Sequence, residues 1–101
     1  MTSDAIHDLR EIKRETYRIA RSRKVADDYL KRVRRHLRHL AYTAEACPRF
    51  QRVDGALTDY RFSVAEHHVA YFKVEAGQSR IVRVLPSRMN FERRLRPSDG
   101  D

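Results

Sequence analysis

YRFSVAEHHVAYFKVEAGQSRIVRVLPSRMNFERRL, residues 60–95, is the stretch whose reading decides the fold. Here alone the apolar spacing falls to two and aromatic and β-branched residues cluster, which predicts three short antiparallel strands followed by a basic segment. Tyr60, Phe62 and Val64 alternate with Arg61 and Ser63, so the first strand should have one buried and one wet face. A turn at residues 65–67 leads into residues 68–74, which are apolar on both sides, as a central strand covered on both faces would be. Residues 75–78, with Gly77 among them, should close a hairpin. Residues 79–85 then set Ile81, Arg83 and Leu85 against Val82 and Val84, and Pro86 stops the strand.

Upstream of this stretch the period changes to three and four. Ile6, Leu9, Ile12, Thr16, Ile19 and Ala20 mark one face of a helix over residues 4–20, with Thr2 or Ser3 to cap it. Ser22 can cap a second helix over residues 24–45, whose apolar side carries Val25, Tyr29, Leu30, Val33, Leu37 and Leu40. At 1.5 Å per residue it is roughly 30 Å long, and the short link forces the two helices antiparallel. Pro48 ends it, and residues 49–59 read as a loop with its turn at Asp54 and Gly55. The expectation is one α+β domain over residues 1–101, an N-terminal helical hairpin packed on a three-stranded antiparallel sheet, with residues 96–101 frayed.

Composition narrows the class. Hydrophobic residues are 41% and charged residues 36% of the 101, with a mean hydropathy of -0.78, which suits one thin-cored domain. Lys and Arg number 22 against 14 Asp and Glu, a net charge of +8. The excess is concentrated in residues 1–50, which hold 13 basic and 7 acidic residues. Such a field draws an acidic partner and says little about fold. Cys47 is alone, so no internal disulfide can form. The first residues contain no apolar run that would serve as a signal, and no stretch is apolar for long enough to span a bilayer, so a cytoplasmic protein is expected.

The strongest basic cluster lies on the second helix, with Lys31, Arg32, Arg34, Arg35 and Arg38 interleaved with His36 and His39. A nucleic-acid footprint, a solvated face and a docking surface for an acidic peptide all fit it. The aromatic residues that would stack bases are absent from that face in this reading. His36 and His39 stand at metal-ligand spacing, yet no Cys, Asp or Glu on the same turns completes a site, so no metal and no cofactor is expected. Cys47 reads as packing rather than as a nucleophile.

The ordered residues resemble the ParE branch of the RelE/ParE toxins of bacterial type II toxin-antitoxin systems. Arg61 and Phe62, then His68, Val69 and Tyr71, then Ile81, Arg83, Val84 and Leu85, and finally Arg88, Met89, Asn90 and Leu95 are similar to that family's basic or aromatic strand, its H-x-x-Y, its I-x-R-V-L-H-x-R-M-D and its closing Leu. AIHDLREIKRETY and VADDYLKRVRRHLRHL resemble its two helices. Pro86 stands where the family commonly has His, and Asn90 replaces its usual Asp. The strand expected before the first helix is missing, which would leave a sheet edge open.

The related RelE branch cuts messenger RNA on the ribosome, which needs a base, an acid and cations at the phosphate. Arg61, Lys73, Arg83 and Arg88 supply cations, but Pro86 has no titratable group and only His67 and His68 offer imidazoles in the sheet half. The chain is therefore not expected to be an enzyme; His67 or His68 beside Arg83 in an open, phosphate-sized hollow would remove the premise of that reading. The ParE resemblance implies instead a toxin that inhibits DNA gyrase by binding and is neutralised by an acidic, ParD-like antitoxin. Arg88, Met89, Asn90, Phe91, Arg93 and Arg94 are the candidates for target engagement, although Met89, Phe91 and Leu95 equally suit packing onto the sheet. Arg35, Arg38, Tyr60 and Phe62 are the candidates for antitoxin contact, lying across hairpin and sheet. A basic module that binds nucleic acid or peptide and harms nothing is the third reading, with direct nucleic-acid contact secondary in the toxin reading.

Overall fold

Thr2 fixes the start of the chain in three ways. In the computed structural model, which describes residues 1–94, its hydroxyl oxygen accepts the Ala5 N–H at 3.1 Å, capping helix α1 (Ser3–Ala20). The same hydroxyl donates to the Val82 carbonyl at 2.8 Å, and the Thr2 N–H donates to the Ile81 carbonyl at 2.9 Å. Arg21 ends α1 in the left-handed region, and Ser22 caps α2 (Arg23–Thr43) by accepting the Val25 N–H at 3.2 Å. With two linking residues the helices can only run antiparallel, as the sequence implied.

Behind them lies a four-stranded antiparallel sheet in the order β1 (Arg49–Gln51), β2 (Leu57–Ala65), β3 (His68–Glu75) and β4 (Gln78–Pro86). The three predicted strands are present. The predicted loop over residues 49–59 shrinks to residues 52–56, keeping its expected turn at Asp54 and Gly55, because Arg49–Gln51 pairs with β2 and β2 itself begins at Leu57. Three residues with one apolar member and an irregular register carry no readable period. Ala76 and Gly77, both at positive φ, form the two-residue turn between β3 and β4. A bulge then opens β4 at Val82, since Tyr71 faces Arg83 while Phe72 faces Ile81. It shifts the phase, so Ile81 and Val84 face the helices while Val82 and Leu85 face away. The expected grouping of Val82 with Val84 fails for this reason.

The sheet therefore separates two apolar clusters. On the helix side Leu9, Ile12, Leu30, Val33, Leu37 and Leu40 meet Ala70, Phe72, Ile81 and Val84. On the far side Tyr60, Val69, Tyr71, Val82 and Leu85 gather round Phe91. β3 is buried on both faces, as its sequence predicted. The edge of β4 that was expected to lie open is occupied: Thr2 takes the Ile81 and Val82 carbonyls, and the Asp8 carboxylate takes the Val84 N–H at 2.9 Å. Pro86 lies two residues beyond Val84 and faces the same way, so its missing N–H costs no ladder bond. No helix among the described residues is long and apolar enough to cross a membrane. The expected fray at residues 96–101, and Leu95, lie outside the described residues.

Candidate functional site

Past Pro86 the chain doubles back under the sheet through local hydrogen bonds. The Ser87 N–H donates to the His67 carbonyl, the Met89 N–H to the Pro86 carbonyl at 2.9 Å, and the Glu92 N–H to the Asn90 side-chain oxygen at 2.9 Å. Asn90 thus starts a single 3-10 turn, Glu92–Arg94. Phe91 is the anchor. It is 1% exposed, stacks on Tyr71 with ring centroids 3.9 Å apart, and meets Phe50 and Tyr60 edge-on at 5.1 Å. Arg88, Asn90, Arg93 and Arg94 are left exposed around it, and with half-buried Met89 they line a shallow depression of about 460 Å³. Of the six residues proposed for target engagement, five share this surface. Phe91 does not, being the buried side chain that positions them.

The four antitoxin candidates are not brought together. Arg35 and Arg38 are exposed on α2, while Tyr60 is fully buried and Phe62 half-buried in the cluster on the opposite face of the sheet. The Lys73 ammonium sits 4.6 Å over the Tyr60 ring, closing it further.

Asp8 is the residue that sequence reading missed. It lies 6% exposed in the buried stripe of α1, between Ala5 and Ile12, and accepts from Arg83 Nε and Nη2, each at 2.8 Å, besides the Val84 N–H. A carboxylate in the apolar phase of a helix was the available signal. The pair fastens α1 to β4 and commits Arg83, which was a candidate phosphate ligand. Arg61 donates to the Cys47 carbonyl at 2.7 Å, and half-buried Cys47 packs on the helix-side cluster.

Tyr29 and His68 form a second polar centre. The Tyr29 oxygen accepts the His67 N–H at 3.1 Å and shares a hydrogen bond of 2.6 Å with His68 Nδ1, which ties this ring of α2 to the start of β3. Burial lowers the His68 pKa below the usual histidine value, with His67 and Arg88 adding in the same direction. Burial raises that of Tyr29. Two adjoining hollows open here between α1 and the end of β4. One, of about 320 Å³, is lined by Ile12, Ile19, Tyr29 and Pro86; the other, of about 360 Å³, by His68, Arg83, Arg88 and Arg94. An imidazole and Arg83 thus share an open hollow, with the guanidinium held by Asp8. His36 on α2 bonds through Nε2 to the Ser63 hydroxyl on β2 at 2.7 Å.

A family model described as "ParE toxin of type II toxin-antitoxin system, parDE" matches residues 1–91. The chain belongs to this family. No curated protein matches the chain. Membership of the ParE toxins makes it the toxin of a toxin-antitoxin pair, with an antitoxin as partner. It also fits the helix pair followed by an antiparallel sheet, and the family match takes in both the Asp8–Arg83 pair and the Phe91 anchor.

Proposed function

We propose that this ParE-family toxin inhibits DNA gyrase by occupying its surface and is neutralised by an acidic, ParD-like antitoxin in the cytoplasm. The observation that carries binding over bond-breaking is the commitment of three of the four cations a nuclease would use: Arg83 to Asp8, Arg61 to the Cys47 carbonyl and Lys73 to the Tyr60 ring, with Arg88 alone exposed beside the hollow. Arg88, Asn90, Arg93 and Arg94, held on the Phe91 anchor, form the target-engaging surface. The antitoxin lies across hairpin and sheet along the two hollows, where Ile12, Ile19 and Pro86 receive apolar side chains and Arg88 and Arg94 receive carboxylates. Supercoiling by purified gyrase should fall when the protein is added, and fall less with Arg88→Glu/Arg93→Glu. Unchanged supercoiling at a large molar excess of wild type refutes the reading.

One observation favours a second reading, a ribosome-dependent endonuclease: His68 and Arg88 share the 360 Å³ hollow with Arg83. That reading predicts cut transcripts in primer extension, lost in His68→Gln, with supercoiling unaffected.

A further inference from the structure

The face of the hairpin turned away from the sheet carries a charge that neither the target surface nor the antitoxin groove uses. On α2, Asp27, Lys31, Arg34 and Arg38 each follow a buried residue, namely Ala26, Leu30, Val33 and Leu37, so they form a stripe about 100° round the helix from the core. On α1, Arg10 follows Leu9 and Lys13 follows Ile12 in the same way. Because the helices are antiparallel, both stripes come to one side. Lys13 Nζ reaches Asp27 at 3.3 Å across the join, and a hollow of about 470 Å³ runs between the helices there, with Arg10, Arg23 and Tyr17 also in its wall.

Few carboxylates oppose these cations. Glu11 holds Arg14, Glu15 holds Arg18, Asp27 holds Lys13 and Asp28 holds Lys24. From Tyr29 to Ala44 the sequence has no acidic residue at all. Arg10, Arg23, Lys31, Arg34 and Arg38 form no ion pair among the described residues, and all are exposed. Two aromatic rings bracket the stripe, Tyr17 at 48% exposure in the hollow and Tyr42 at 91% one turn beyond Arg38. From sequence this face lacked aromatics; the fold supplies Tyr17 from the other helix.

We infer that this face binds single-stranded nucleic acid, with the cations on successive phosphates and the two tyrosines stacking on bases. From Arg23 to Tyr42 the helix advances about 28 Å, which spans about eight nucleotides of a fully stacked strand at the roughly 3.4 Å spacing of one duplex strand, and fewer of an extended one. A cationic track interrupted by exposed aromatic rings is the arrangement that holds single strands without reading sequence. An acidic peptide would take the charges but leave both rings unused, and between Lys31, Arg34 and Arg38 every side chain on this stripe is charged, so an amphipathic helix finds no apolar seat there.

The test is fluorescence anisotropy of the full chain with a labelled mixed-sequence single-stranded DNA about as long as two such tracks, in a salt series, with an equal-length duplex and a polyglutamate peptide of equal charge as competitors. Lys31→Ala/Arg34→Ala/Arg38→Ala should lower the slope of log K against log salt by about 2, for three phosphate contacts. Tyr17→Ala/Tyr42→Ala should weaken single-strand binding about tenfold or more while leaving the slope in place. Unchanged thermal unfolding of both variants separates these effects from misfolding. The assignment is overturned if the triple variant keeps the wild-type slope, if polyglutamate competes as well as DNA, or if duplex binds as tightly as single strand and the tyrosine variant binds like wild type. It does not rest on the gyrase reading, whose supercoiling assay reports on a different surface.

Discussion

Replacing Asp8 by Ala should be the most damaging single polar substitution among the described residues. The carboxylate is held in a buried environment by two 2.8 Å bonds from Arg83, whose side chain is 16% exposed, and a 2.9 Å bond from the Val84 N–H. Its removal leaves a guanidinium with little access to water and an edge N–H without an acceptor. Breaking one side of a buried pair typically costs about 3–5 kcal/mol. A chain of this size is expected to have about 5–15 kcal/mol in total, so roughly a fifth or more of its stability should go. With a urea m-value of about 2 kcal/mol/M the midpoint should fall by roughly 2 M. Asp8→Asn should lose less, since its amide oxygen can still accept from Val84. The decisive comparison is Asp8→Leu/Arg83→Met, which removes both charges and should recover to within about 1–2 kcal/mol of wild type, because apolar replacement of a whole buried pair is close to neutral. Equilibrium urea unfolding followed by circular dichroism measures all four proteins. A loss below about 1 kcal/mol in Asp8→Ala, or a double variant no better than the single one, would show that the pair does not fasten α1 to β4.

Phe91→Ala should cost about 3–5 kcal/mol by unfolding and remove the near-ultraviolet signal of the stacked Tyr71, and inhibition of the target should fall although Phe91 itself is hidden. Thr2→Val should lose about 1–2 kcal/mol, since the cap and the bond to Val82 vanish together, and exchange of the Ala5 amide should quicken. For His68 the folded pKa lies below the unfolded one, so below the ordinary histidine value the unfolded chain binds the extra proton and stability falls as pH drops. The unfolding midpoint should therefore decline from pH 7.5 towards 5 (on the order of the histidine range) more steeply in wild type than in His68→Gln, and equal slopes would contradict the Tyr29–His68 geometry.

The helices were legible because their apolar residues recur at three and four over many turns and their caps, Thr2 and Ser22, are of the right chemical type. The strands from Tyr60 onward were legible because alternation survives there until the bulge. What the sequence concealed was everything decided by a neighbour distant in the chain. Asp8 looks like one more charged helix residue until Arg83 arrives 75 positions later. Phe50 has no period of its own, yet it closes the ring cluster round Phe91. Arg35 and Tyr60 both look like contact residues, and only the thickness of the sheet puts them on opposite sides. Tyr42 follows Arg38 by four residues, on the basic stripe and past Leu40, the last buried position of the helix, so neither the apolar period nor the basic run pointed to it.

The two apolar clusters lie on opposite faces of one sheet, which has a consequence for how the surfaces work together. Substitutions on the outer hairpin face and in the Phe91 anchor share no partner, so their effects on stability should add to within about 0.3–0.5 kcal/mol. Asp8 and Arg83 are the exception: Arg83 belongs to β4, reaches α1 through Asp8, and approaches the Arg94 carbonyl in the segment beyond Phe91 at 3.4 Å. Loosening that pair therefore frees the helix hairpin and the C-terminal platform at once. A cycle of Asp8→Asn with Phe91→Ala should show a coupling of about 0.5 kcal/mol or more, while Phe91→Ala with Lys31→Ala/Arg34→Ala/Arg38→Ala should show none. Coupling in the second cycle equal to that in the first would mean that the sheet does not insulate its two faces, and the hairpin surface could then no longer be treated as independent of the target surface.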